Sequence, residues 1–170
     1  MSKGHDTEYK KKEKNAFNGI MKLASLLQKA LDTGRSNYVE LSEISRYVIY
    51  YVKTQADDSS ICMDYILNNY NKSGAFQSLR TKLVELFNKL NETTVNGYEK
   101  LVAPNGSVNK NLLEQLIQID AEITDSMNRI NNVLKAVKNN GEITDLDIKE
   151  IEIIASELRK NVGERKNIVK

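Results

Sequence analysis

The side chains able to do chemistry are few in this chain, and their spacing suits little of it. His5 is the single histidine and sits in a polar amino-terminal stretch. That removes Ser-His-Asp and Cys-His nucleophile systems, HExxH zinc sites and the Glu-x-x-His bundle that holds two irons. Cys62 is the single cysteine, so there is no CxxC, no zinc ribbon and no intrachain disulfide. It falls on the apolar face of a helical pattern, where a thiol is a small buried hydrophobe rather than a nucleophile. Neither GxGxxG nor GxxxxGK[ST] occurs, so the usual phosphate cradles are missing. Two carboxylate pairs remain. Asp57-Asp58 reads as a helix cap and Glu150/Glu152 as a solvated face. The sequence therefore assigns no catalytic residue, no cofactor and no metal, and reads as a non-enzyme.

Asn140-Gly141-Glu142-Ile143 imitates the middle of an EF-hand loop. Aligned on that glycine, however, Ala136 takes the first ligand position and Lys138 the third. Calcium needs side-chain oxygens at both; a methyl offers none and an ammonium repels the ion. The segment reads as a turn between helices.

Nucleic-acid chemistry has better raw material. The helical patterns either side of Asn71-Lys72-Ser73-Gly74 have the proportions of a helix-turn-helix over residues 59–90. Gln77, Ser78, Arg80, Thr81 and Lys82 would then be the groups that read base edges or grip phosphates. Tyr47, Tyr50 and Tyr51, flanked by Arg46 and Lys53, could form a stacking surface for a single strand. The basic ends add Lys10, Lys11, Lys12 and Lys14 at one side and Arg165 and Lys166 at the other. Against these stand plainer readings: a short-looped helical pair, a half-buried tyrosine rim and two solvated termini.

The elements that must position these groups are all helical. Hydrophobic residues make up 40% of the 170 and charged residues 28%, with one Pro, eight Gly, three Phe and no Trp. So little Pro and Gly favours helix, and the core must be aliphatic. Helix one runs through Phe17, Ile20, Met21, Leu23, Leu27 and Leu31, stopping at Gly34. Helix two follows Tyr38, Leu41, Ile44, Val48 and Tyr51. Helix three is capped by Asp57, Asp58 or Ser59 and carries Ile61, Cys62, Tyr65 and Ile66. Helix four carries Phe76, Leu79, Leu83, Leu86, Phe87 and Leu90.

The clearest pattern comes last. Leu112, Leu116, Ile119, Ile123, Met127, Ile130, Leu134 and Val137 mark a long helix with Ser107 or Asn109 as its cap. Two successive steps of four interrupt a strict heptad, as a stutter does in a coiled coil. After Gly141 a second stripe runs Ile148, Ile151, Ile154, Leu158 and Val162. Its start is well specified, with Thr144 as N-cap, Asp147 three residues on, and Ile143 and Ile148 in staple positions.

The expected fold is all-α, a bundle of about six helices ending in a long antiparallel helical hairpin. Its parts are a polar, basic tail over 1–14, a four-helix region over 15–91, a linker over 92–106, the hairpin over 107–163 and a basic tail over 164–170. No apolar run approaches the ~20 residues a membrane span needs, and the amino terminus leads into charge rather than an apolar signal. We expect a cytoplasmic, non-enzymatic interaction or assembly protein, a small subunit of a larger complex that meets a protein partner or itself through the helical seam. The alternative is nucleic-acid binding through residues 59–90 and the basic ends, within a ribonucleoprotein or on DNA.

Overall fold

A computed structural model describes residues 38–70 and 74–170, together with the single position Ser25. Helix one, Gly34, the 1–14 tail with Lys10, Lys11, Lys12 and Lys14, and the turn at 71–73 lie outside the described residues. What is described is all-helical. Four α-helices, α1 (Tyr38–Asn69), α2 (Gly74–Thr94), α3 (Lys110–Asn140) and α4 (Asp145–Ile168), are joined by one 3-10 turn at Tyr98–Leu101.

The two helices expected over residues 38–66 are one. Asp57, Asp58 and Ser59 sit in the middle of α1, a 32-residue helix about 48 Å long. The reason is packing. Val52, Ala56, Ser59, Cys62, Met63 and Ile66 are all buried, so the inward stripe passes straight through the acidic pair. Asp57 is exposed and Asp58 half-buried, and nothing in the backbone is left for them to cap.

α2 starts and ends close to its apolar pattern and runs through Thr94, past the expected start of the linker. Asn109 is the α3 cap, its side chain accepting from the Leu112 amide at 3.2 Å. Gly141 closes α3 in the left-handed region (φ 73°), which glycine adopts without penalty. Thr144 caps α4 as expected. Its hydroxyl accepts from the Asp147 amide (3.2 Å), and the Thr144 amide donates to Asp147 Oδ2 (2.9 Å). α4 then continues to Ile168, so most of the expected 164–170 tail is helix.

The helices form a closed ring in which α1 touches α2 and α3, and α4 touches the same two. Side-chain pairs give the directions. Asp64 meets Arg80 and Arg129 meets Glu157, so α1–α2 and α3–α4 run antiparallel. Because α2 and α3 are diagonal neighbours, residues 95–109 cross beneath the bundle, and the 3-10 turn packs on both α1 and α3. We call this the lower end. Along the ring's axis Leu41, Val48, Met63, Phe76, Leu83, Leu90, Leu116, Met127, Leu134, Ile151 and Leu158 form one aliphatic core.

Candidate functional site

The most heavily engineered chemistry in the fold is at the lower end, and it is buried. The α4 stripe Ile151, Ile154, Leu158 and Val162 extends by its own period onto Arg165, which is 0% exposed. On α3, Asp120 is 1% exposed and lies on the core side between Leu116 and Ile123. Arg165 Nε donates to Asp120 Oδ1 at 2.7 Å, and Nη1 donates to the carbonyls of Thr93 (2.6 Å) and Asn96 (2.7 Å). A guanidinium thus caps the carboxyl end of α2, where the helix dipole is negative and the last carbonyls lack partners.

Tyr98 completes the network from the crossing segment. Its hydroxyl donates to Asp120 Oδ2 (2.8 Å), and its amide donates to Ser45 Oγ (2.9 Å). Burial first, then the Asp120 charge and hydrogen bond, push the Tyr98 phenol well above its ordinary value, with Arg165 opposing. Gly97 makes the close approach possible. A Cβ there would stand 2.1 Å from Ser45 Oγ and 2.6 Å from Ser45 Cβ. One carboxylate is answered by one guanidinium and one phenol, with no open position for a substrate. This is an anchoring network rather than an acid–base pair.

A second buried polar group joins α1 and α3 at mid-height. Ser59 Oγ donates to Asn131 Oδ1, and Asn131 Nδ2 donates to Gln55 Oε1 at 2.7 Å. Above it Lys138 Nζ lies 4.7 Å from the Tyr65 ring centre, with Tyr70 edge-on to Tyr65 at 5.6 Å.

Among the described residues, those singled out for nucleic acid do not come together. Arg165 must be withdrawn: it is sealed from solvent and fully engaged, so it offers nothing to a phosphate. Arg46 is exposed near the lower end of α1. Gln77, Arg80 and Lys82 lie at the opposite, upper end, and Arg80 Nη2 is 2.8 Å from Asp64 Oδ1. The long antiparallel α1 and α2 differ from the two short helices expected there. Of the tyrosines, Tyr50 is 71% exposed, whereas Tyr47 and Tyr51 are half-buried, so the ring surface is split between outside and inside. The Tyr51 hydroxyl is buried with no hydrogen-bond partner among the described residues. Burial, then Tyr47 and Asp125, push its phenol up to about 12.

Among the described residues, clefts open between α3 and α4 and between α2 and α4. One, of about 600 Å³, runs between α3 and α4 past Glu122, Asp125, Arg129, Glu157 and Lys160, and the Arg129–Glu157 pair (3.0 Å) crosses it. The other, of about 490 Å³, lies between the lower halves of α2 and α4. Its rim carries Lys89, Arg159, Lys166 and Lys170 with Glu92. Arg159, Lys166 and Lys170 belong to the basic carboxyl-terminal end expected from sequence to meet nucleic acid. Among the described residues no group of three or more His, Cys, Asp or Glu could hold a metal ion. None of the described helices is long and apolar enough to cross a membrane.

Comparison with protein-family models, with curated proteins and with solved structures finds no match.

Sequence reasoning missed the Arg165–Asp120–Tyr98 network, although a signal was present. Continuing each apolar stripe by its own step puts one cation and one carboxylate in core register on successive helices. Charges in such register are either paired or functional.

Proposed function

We propose that this is a non-enzymatic helical interaction protein, a small subunit that associates through the outer face of α1. The single observation behind this is a stripe of unburied apolar side chains at helical spacing: Tyr50 (71% exposed), Ile61 (65%) and Tyr65 (40%). Residues spaced by eleven and four lie on one side of a helix, and large apolar groups repeated on one outer face mark contact surfaces. The long seam of α3 and α4 is occupied by α1, α2 and the core, so the closing hairpin serves this reading as the brace that holds α1 rigid. A cytoplasmic setting belongs to the same reading, supported by the chain's having a single cysteine, which is buried.

Sedimentation velocity and co-purification from native lysate, each run on the natural chain and on Ile61→Glu/Tyr65→Glu, test this. The expected result is an assembly or a captured protein that the double variant loses. A natural chain that stays monomeric and captures the same proteins as its variant would sink the proposal. Nucleic-acid binding stands second; a basic face would support it, and binding would then weaken steeply with salt.

A further inference from the structure

The cleft between the lower halves of α2 and α4 has an apolar floor and a cationic rim. Leu86, Val162 and Val169, all buried, make the floor. Lys89, Arg159, Lys166 and Lys170 stand on the rim with one acidic side chain, Glu92, and none of the four side chains is ion-paired among the described residues. Cations gather at helix carboxyl ends for a structural reason as well, because they offset the dipole. Here that task for α2 is already discharged: Arg165 holds the Thr93 and Asn96 carbonyls from inside. The rim cations are not consumed by it.

A second observation is independent of charge. Thr93 lines the same cleft, is 6% exposed, and its Oγ1 has no hydrogen-bond partner among the described residues. A threonine hydroxyl in a helix commonly bonds a carbonyl one turn back; a buried one left unpaired costs stability unless something outside the fold satisfies it. An anion held by the rim would accept from it. The volume, about 490 Å³, is that of a small-molecule site.

We propose that this cleft binds a small molecule bearing two or more phosphate groups, with Lys89, Arg159, Lys166 and Lys170 gripping the phosphates and Thr93 Oγ1 donating to one of their oxygens. The apolar floor would take the rest of the ligand, where there is any. The proposal is independent of the contact surface on α1. Inorganic tripolyphosphate and ATP share the chemistry; tighter binding of ATP would show that the floor takes part, and equal binding that phosphate alone is read.

Isothermal titration of the full chain with both probes at low salt, without divalent metal, provides the test. The expected result is saturable binding that weakens about tenfold in Lys89→Gln/Lys166→Gln, both exposed positions, as loss of charge-assisted bonds does. Thr93→Val should keep or raise the melting temperature while weakening binding by a similar factor. Absence of binding, binding indifferent to the lysine pair, or a Thr93→Val chain that melts several degrees lower would each overturn the assignment. So would a short oligonucleotide bound more than tenfold tighter than tripolyphosphate, which would make the cleft part of a nucleic-acid surface.

Discussion

Arg165 and Asp120, 45 residues apart, meet at 2.7 Å with neither exposed to solvent. The pair ties the last turns of α4 to α3, and through Tyr98, Thr93 and Asn96 it also holds the crossing segment and the end of α2. Four pieces of chain are fixed by one side chain.

Removing that side chain should be costly. Arg165→Ala leaves Asp120 buried without its cation and uncovers the Thr93 and Asn96 carbonyls, a loss of roughly 3–5 kcal/mol. Urea denaturation of natural and variant chains measures it. Arg165→Lys should recover only part, because an ammonium lacks the planar fork that serves a carboxylate and two carbonyls together. The double change Asp120→Leu/Arg165→Met should cost less than the sum of its single changes; strict additivity would mean the two residues are not coupled.

Gly97 should not tolerate a methyl group. Gly97→Ala drives a Cβ into Ser45 Oγ and Cβ, and overpacking of this kind costs about 1–3 kcal/mol. The lost stability should appear as a lower melting temperature. Gly106→Ala meets no neighbouring atom and carries only the cost of its positive φ (85°), so it should fall less.

Alkaline pH should weaken the fold. Tyr98 and Tyr51 both have phenols raised in the folded chain, Tyr51 to about 12. Above the ordinary value near 10 the unfolded chain releases these protons and the folded chain keeps them. The folded state then binds more protons, so stability is fully present below pH ~10 and falls as pH rises toward the folded values. The slope is at most about 1.4 kcal/mol per pH unit for each tyrosine, and less for the half-exposed Tyr51. Denaturation midpoints between pH 8 and 11.5 check this. Tyr98→Phe should flatten the fall while lowering stability at neutral pH, where the Asp120 bond is lost.

Tyr51→Phe should behave differently at neutral pH. Its hydroxyl is buried and unpartnered, so deleting it removes a desolvated group and leaves none behind. Stability should hold or rise by up to about 1 kcal/mol, as read from the denaturation midpoint. A clear loss would mean that the hydroxyl is bonded in solution.

The helix stripes and caps were legible because they are local. Thr144 and Asp147 are three residues apart, and Gly141 alone suits the turn conformation it takes. The joining of two expected helices into α1 was not legible. Asp57-Asp58-Ser59 is a good cap in isolation, and burial of the stripe from Val52 to Ile66, with Ser59 bonded to Asn131 on α3, overrides it. The lower-end network was hidden for a related reason. Tyr98 stands in a segment without periodicity, and Arg165 reads as part of a basic tail until α2 and α3 supply the groups it holds. Nothing in the sequence pointed to the α2–α4 cleft as a whole. Lys89 and Lys166 come from distant stretches and meet only because α2 and α4 run parallel.

The position of Arg165 in the chain sets when its partners meet it during synthesis. Thr93, Asn96, Tyr98 and Asp120 all leave the ribosome before Arg165, so a growing chain that has made three helices holds a carboxylate and a helix end awaiting their cation. Until α4 is made, the Asp120 carboxylate and the α2 carbonyls lack the cation that holds them in the finished fold.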